Sequence, residues 1–377
     1  MRVYPFSRSL TSATGAVVVL ALGAINTQQA FASIDVSTLL LLFGMLTHVE
    51  ALSRSGFYGW AGARLVDYTG TARRLTLGSL GVAAVFSAVA LNDATVLLLT
   101  PVLMSVIRTA DIDPIPPLVV VVILGANIGS VATPIGNPQN AYILTQSGMS
   151  AVEFVAHLMP IAFVCLLLSA LALVPITTDE VTLSDVPVPN IDGRWAFSSV
   201  GFLLGTFLLL VLFPSRNPGI IAASIGILHL MWLQLFRRVP GEDVLQGMDW
   251  SIIVLFVGIF VLVGSLEETA LMTLVGHFDS GWRLAGATFL LSNVISNVPA
   301  VILLSSGIES QLGWLTLSAV STLAGNATPI ANAATLIALQ QASRRGVDIS
   351  IVRLLMVGIP VAVVTSVVAA TLLTAGF

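Results

Sequence analysis

VALNDATVLLLTP, residues 89–101, sets an Asn-Asp pair inside an otherwise apolar run. The carboxylate of Asp93 has no neighbour in sequence that neutralises it. The chain around it is 377 residues long, 56% hydrophobic and only 9% charged, against about 25% charged residues in an average soluble domain. Apolar segments at 13–33, 149–176, 196–213, 218–236 and 250–266 each approach or pass the roughly 20 residues that a spanning helix needs. They are continuously apolar and do not alternate, which excludes a β-barrel. The fold class is therefore an all-α polytopic membrane protein. One cysteine, Cys165, offers neither a disulfide framework nor a thiol cluster for a metal.

There is no lysine, so the fifteen arginines carry the positive-inside signal. Arg2 and Arg8, an apolar run and Ala30-Phe31-Ala32 have the look of a cleavable signal peptide. Further spans follow at once, so a retained first span at 13–33 is expected, then a second at 36–52. The chain emerges inside at Arg54, Arg64, Arg73 and Arg74.

Residues 75–108 have arginines at both ends, Arg73 and Arg74 before and Arg108 after. Both ends ask to be cytoplasmic, and the apolar limbs on either side of Asn92-Asp93 look short for a crossing. A re-entrant hairpin with its tip buried in protein meets both constraints. The path continues outward through 115–144 and inward through 149–176 to a polar cytoplasmic linker at 177–195. Spans at 196–213, 218–236 and 250–266 follow, then a second hairpin near 284–307, a segment at 313–342 and a last span at 350–376. About nine spans result, two of them discontinuous, and on this path only Arg216 and Arg283 lie outside.

Two pairs of segments match across the linker. NDATVLLLT at 92–100 pairs with NVPAVILLS at 297–305, and ATPIGNPQNAYIL at 132–144 with ATPIANAATLIAL at 327–339. An odd number of spans between the copies makes 1–176 and 196–377 inverted repeats. That is the pattern of secondary transporters, whose sites lie near the midplane at the repeat interface. Pro134 and Pro329 interrupt their helices and release backbone carbonyls. Gly125, Gly129, Gly136 and Gly325 permit close or unwound backbone. Asn127, Asn137, Asn140, Asn326 and Asn332 supply amides where lipid would penalise them.

The tips LNDATVLLLTP and SNVISNVPAVILL, with GANIGSVATPIGNPQN and LAGNATPIANAATL, resemble the ion transporter superfamily. That group includes arsenite permeases, sodium/proton antiporters of the NhaD type, and citrate or dicarboxylate transporters. The similarity covers nearly the whole chain from about residue 36 and looks closest to small bacterial inner-membrane permeases near the arsenite branch. It implies a scaffold domain, a transport domain that moves like an elevator, and a homodimer as in the dicarboxylate branch. In that branch Ser-Asn-Thr tips bind sodium and substrate carboxylate. Here Asn92, Asn297 and Ser296 carry over, while the Thr is lost from both tips. Asn-Asp at the first tip looks more like the arsenite permeases.

A carboxylate at membrane depth is a functional candidate by default, because charge is costly there. Asp93, with Asn92, is the expected proton or cation carrier, and its counterpart Val298 has no charge. The alternative role for Asp93 is a helix cap. Substrate contacts are expected from Asn92, Thr95, Asn127, Gly129, Thr133, Asn137, Asn140, Ser296, Asn297, Asn326, Thr328 and Asn332. No arginine is expected at the centre, which favours a neutral oxyacid or a cation over a dianion. His48 and Glu50, and Glu267 and Glu268, read as solvated helix ends, and His157 and His229 as helix-contact hydrogen bonders.

The expected function is a proton-coupled carrier of a small anion or metalloid oxyacid such as arsenite or antimonite. Sodium/proton antiport ranks second and sodium-coupled citrate or dicarboxylate uptake third, with a channel as the other class. The expected partners are membrane lipid and a small solute, with Na+ or H+ as coupling ion, no other cofactor and no nucleic acid. No His-Glu-x-x-His metal motif, nucleophile elbow or carboxylate dyad points to an enzyme.

Overall fold

The computed structural model describes residues 7–110, 113, 117, 124–176, 190–266, 269, 278 and 281–376. Among them the architecture is helical throughout, with no strand. Six described helices are long and apolar enough to cross a membrane, or seven if one bent pair counts as a span. Most of the linker, 177–189, and both Glu267 and Glu268 lie outside the described residues.

In chain order the helices are α1 (Arg8–Ala21), α2 (Thr27–Ala32), α3 (Val36–Arg54), α4 (Phe57–Thr69), α5 (Ala72–Ala90) and α6 (Asn92–Ala110). Then come α7 (Asn127–Val131), α8 (Pro138–Gln146), α9 (Ala151–Leu173), α10 (Gly193–Leu212) and α11 (Pro218–Trp232), which runs on as a π-type turn through Arg237. The last are α12 (Gly241–Gly247), α13 (Trp250–Gly264), α14 (Gly281–Ile295), α15 (Asn297–Ser305), α16 (Gln311–Ala324), α17 (Ala333–Arg344) and α18 (Ile351–Thr374).

The expected first span at 13–33 is corrected by this order. Gly23 adopts φ +72°, and a capping box at Asn26 and Gln29 starts a new helix. The run therefore splits into helices of 14 and 6 residues, neither long enough to cross. The limbs of the first hairpin are also longer than expected, 19 residues each, or about 28 Å at 1.5 Å per residue. Pro101 is accommodated inside α6 rather than ending it. The second hairpin, α14 and α15, has limbs of 15 and 9 residues.

Polar contacts tie helix ends together. Arg237 bonds Asp192, whose backbone N–H donates to Ser55 O at 3.0 Å. Elsewhere Arg108 donates to Arg345 O at 2.8 Å, and Arg353 pairs with Asp113 at 2.6 Å.

His48 is not the solvated helix-end group expected from sequence. It is fully buried where α3 packs on α10 and α11, with its Nδ1 3.0 Å from Nδ1 of His229. His48 Nε2 lies 2.8 Å from Thr206 Oγ1, and His229 Nε2 lies 3.1 Å from Ser199 Oγ. Thr206 Oγ1 also sits 3.1 Å from Phe202 O. One neutral arrangement satisfies every link: Ser199 donates to His229, His229 to His48, His48 to Thr206 and Thr206 to Phe202 O. Glu50, by contrast, is the expected helix-end charge and pairs with Arg54 at 2.7 Å. His157 bonds the Glu153 carbonyl on its own helix.

Candidate functional site at the hairpin tips

Both hairpins turn on a residue in the left-handed region, Leu91 at φ 64° and Ser296 at φ 80°. The residue after each turn docks its backbone N–H on an interrupted helix. Asn92 donates to Gly136 O at 2.9 Å, and Asn297 donates to Ala331 O at 3.1 Å. Gly136 and Ala331 belong to the breaks between α7 and α8 and between α16 and α17, where Pro134 and Pro329 remove backbone donors. The match extends to side chains. Thr133 donates to Ala88 O, and its counterpart Thr328 donates to Asn293 Oδ1 at 2.9 Å. Asn137 donates to Thr322 Oγ1 at 3.0 Å, and Asn332 donates to Asn127 Oδ1.

Asn127 is the hub. Its Oδ1 accepts from Asn92 Nδ2 at 3.2 Å as well as from Asn332, and its Nδ2 donates to Asn326 Oδ1 at 2.6 Å. One fully buried amide thus joins the first tip to the second break. Gly129, two residues on, has no room for a side chain, since a Cβ there would fall 2.3 Å from Ala84 O on α5.

Several expected ligand residues are engaged in holding the breaks. Asn140 Nδ2 donates to Ser130 O and Thr133 O at 3.0 Å each, and its Oδ1 accepts from Ser318. Asn137 caps α8 by accepting from Asn140 N at 2.9 Å, and Thr95 donates to Leu91 O in the hairpin turn. Ser296 Oγ donates to Ala331 O at 3.0 Å. Three atoms in the network are sealed from solvent with no hydrogen-bond partner: Asp93 Oδ1, Asn297 Oδ1 and Asn326 Nδ2.

Asp93 sits in the first turn of α6, and its residue is half-buried. Arg8, Asp249 and the backbone N–H of Ala334 lie within electrostatic reach of its carboxyl. An arginine at this site was not expected. Arg8 begins α1, and its Nη2 donates to Ile330 O at 2.8 Å and Pro329 O at 3.3 Å. In the sequence Arg8 reads as a topogenic charge ahead of an apolar run; Asp249 caps α13, accepting from Ser251 N at 3.1 Å. Neither carries a local signal of a site.

A family model for citrate transporters matches residues 2–324. The chain belongs to the citrate transporter family. The chain is also similar to the inner membrane protein YbiR of Escherichia coli, 30% identical with 74% of each chain covered. A 46 kDa membrane protein of Mycobacterium leprae is 27% identical, with 95% of this chain and 91% of that protein covered. The silicon efflux transporter LSI3 of Oryza sativa subsp. japonica is 25% identical over 90% of this chain and 86% of its own length. The crystal structure of the YdaH transporter from Alcanivorax borkumensis shares the fold, with a TM-score of 0.61 at 15% identity and 99% of each chain covered. This member of the citrate transporter family is a multi-pass membrane transporter of the ion transporter superfamily.

Proposed function

We propose that the chain is a secondary active transporter for a small oxyacid or oxyanion, coupled to a proton or another monovalent cation through Asp93. The observation that carries this reading is the Asp93 carboxylate oxygen, sealed and without a partner at the tip of the first hairpin. A buried acceptor left open costs roughly 1–3 kcal/mol or more, so a bound cation or proton relieves it. The second tip offers Asn297 Oδ1 and the second break Asn326 Nδ2, an acceptor and a donor, to a hydroxyl-bearing solute.

The matched tips and breaks support an inverted-repeat reading, with the α5–α6 hairpin entering from the cytoplasm and the α14–α15 hairpin from the opposite face of a bacterial inner membrane. With 13–33 split into two short helices, that reading keeps eight spans, the two interrupted helices among them. In it α3, α10 and α11 belong to the scaffold and the hairpins with their broken helices to the moving unit. Arg8 is occupied with carbonyls, so the solute meets amides and helix ends rather than a free guanidinium. This favours a neutral oxyacid, of arsenic, antimony or silicon, over a dianion. A dicarboxylate is the second reading. The N-terminal ends of α6, α8 and α17 are joined through Asn92, Asn137 and Asn332 to Asn127, and that of α15 docks on the second break through Asn297 N to Ala331 O; helix N-termini attract carboxylates.

Reconstitution into liposomes with imposed pH or sodium gradients tests both. The panel is arsenite, antimonite, silicic acid, sulfate, citrate and succinate. Gradient-driven flux of an oxyacid that Asp93→Asn abolishes is expected. Wild-type flux and pH dependence in the Asp93→Asn protein would sink the coupling role, and sodium-dependent succinate or citrate uptake would install the second reading.

A further inference from the structure

The two breaks are capped differently. In the first, Asn140 on α8 covers the freed carbonyls of Ser130 and Thr133 from within the same segment. The residue at the matching position of the second break is Thr335, whose hydroxyl is buried and bonds nothing. Arg8, from a separate helix, covers two other carbonyls of this break, those of Pro329 and Ile330, which match Pro134 and Ile135 in the first. That helix is anchored elsewhere: α1 lies on α13 so closely that a Cβ on Gly258 would fall 2.6 Å from the Ser12 backbone. The groups acting on Asp93 are Arg8 from α1, Asp249 at the start of α13 and the Ala334 N–H of α17.

Unwound carbonyls beside a carboxylate are the ligand set a monovalent cation takes in broken-helix transporters. Arg8 stands over that set with a charge of the same sign. We propose that Arg8 is a tethered cation that holds the second break and screens Asp93 while the site is empty, and that the coupling cation must displace it to bind. The inference rests on the coupling role of Asp93 proposed above. Arg8 acts through Asp93 and the carbonyls, so it is a positioning residue. Its bond to the moving unit ties that unit to α1, and an unloaded carrier is restrained from crossing until the cation breaks the tie.

The test uses the full chain in lipid nanodiscs. Na+ is titrated against choline at fixed ionic strength, and H+ separately, with the thermal unfolding midpoint as readout. Removing a unit charge near the site is expected to lower the half-saturating Na+ or H+ concentration about tenfold or more in Arg8→Gln. Arg8→Lys keeps the charge but not the two-carbonyl reach and is expected to give a smaller decrease. Asp93→Asn is expected to lose the response.

Equal half-saturation in wild type and Arg8→Gln, with the response still lost in Asp93→Asn, would overturn the inference and leave the coupling role standing. A wild type without any cation response, or a response that survives Asp93→Asn, would remove the coupling role and this inference together. If Arg8→Gln does not fold, Arg8→Lys decides: a lowered half-saturation supports the tether and an unchanged one overturns it.

Discussion

Asn127→Ala is the most demanding perturbation of the tip network. It deletes the bonds to Asn92, Asn326 and Asn332 at once, and the site is fully buried, so water does not replace them. Interhelical side-chain bonds in membrane proteins average about 0.6 kcal/mol, which puts a floor of about 2 kcal/mol under three of them. The three groups left behind each add a desolvation cost of up to about 1–3 kcal/mol, so a loss of about 2–5 kcal/mol is expected. Asn326→Ala removes only one of these bonds from the hub and is expected to cost about 1 kcal/mol. Because the two residues share a bond, the double variant should fall short of the sum by about 0.6–1.7 kcal/mol. Reversible unfolding in mixed detergent–lipid micelles, followed by tryptophan fluorescence and circular dichroism, measures all four proteins. An Asn127→Ala protein within about 0.5 kcal/mol of wild type would refute the hub, and so would strict additivity.

The helix-end anchor at Asp192 is expected to fail only in acid. Its carboxyl is held below the usual carboxylate range, first by the Trp195 backbone N–H and then by Arg237. A lowered value means the contribution is complete above the ordinary carboxylate pKa and is lost as pH falls through the lowered one. Amide exchange at Trp195, corrected for its intrinsic pH dependence, should be flat down to about pH 4 and accelerate below it. Asp192→Asn should abolish that acid step. For the buried imidazoles, His48→Leu and His229→Leu should each cost about 1–3 kcal/mol by stranding the partner nitrogen. The double variant should cost less than the sum of the two, as read by the same unfolding assay.

Much of the site is legible in the sequence because it is written twice. NDATVLLLT against NVPAVILLS, and ATPIG against ATPIA, locate both tips and both breaks, and those segments do meet, tip on break, through Asn92 to Gly136 and Asn297 to Ala331. Local chemistry also announces the breaks, since a proline inside an apolar run must free a carbonyl. What does not show is the partner of each polar group. Asn140 looks like a ligand and is a brace, because its three bonds depend on a loop folding back and on α16 arriving from 178 residues away. Arg8 looks topogenic because its carbonyl partners lie 321 and 322 residues distant. The split of 13–33 was signalled by Gly23 and by Asn26 with Gln29. Continuous hydrophobicity along the run masks that signal.

The His48–His229 pair bears on how the chain is made. Its two halves are 181 residues apart. At about 5–20 residues per second, His229 leaves the ribosome roughly 10–40 s after His48. During that interval α3 carries an imidazole with neither Thr206 nor His229 to receive it, in surroundings that penalise an open polar group. A nascent chain halted after α9 cannot close this site, so α3 reaches its final seat only when α10 and α11 have been inserted. The order of synthesis makes the first half of the protein a client of the second.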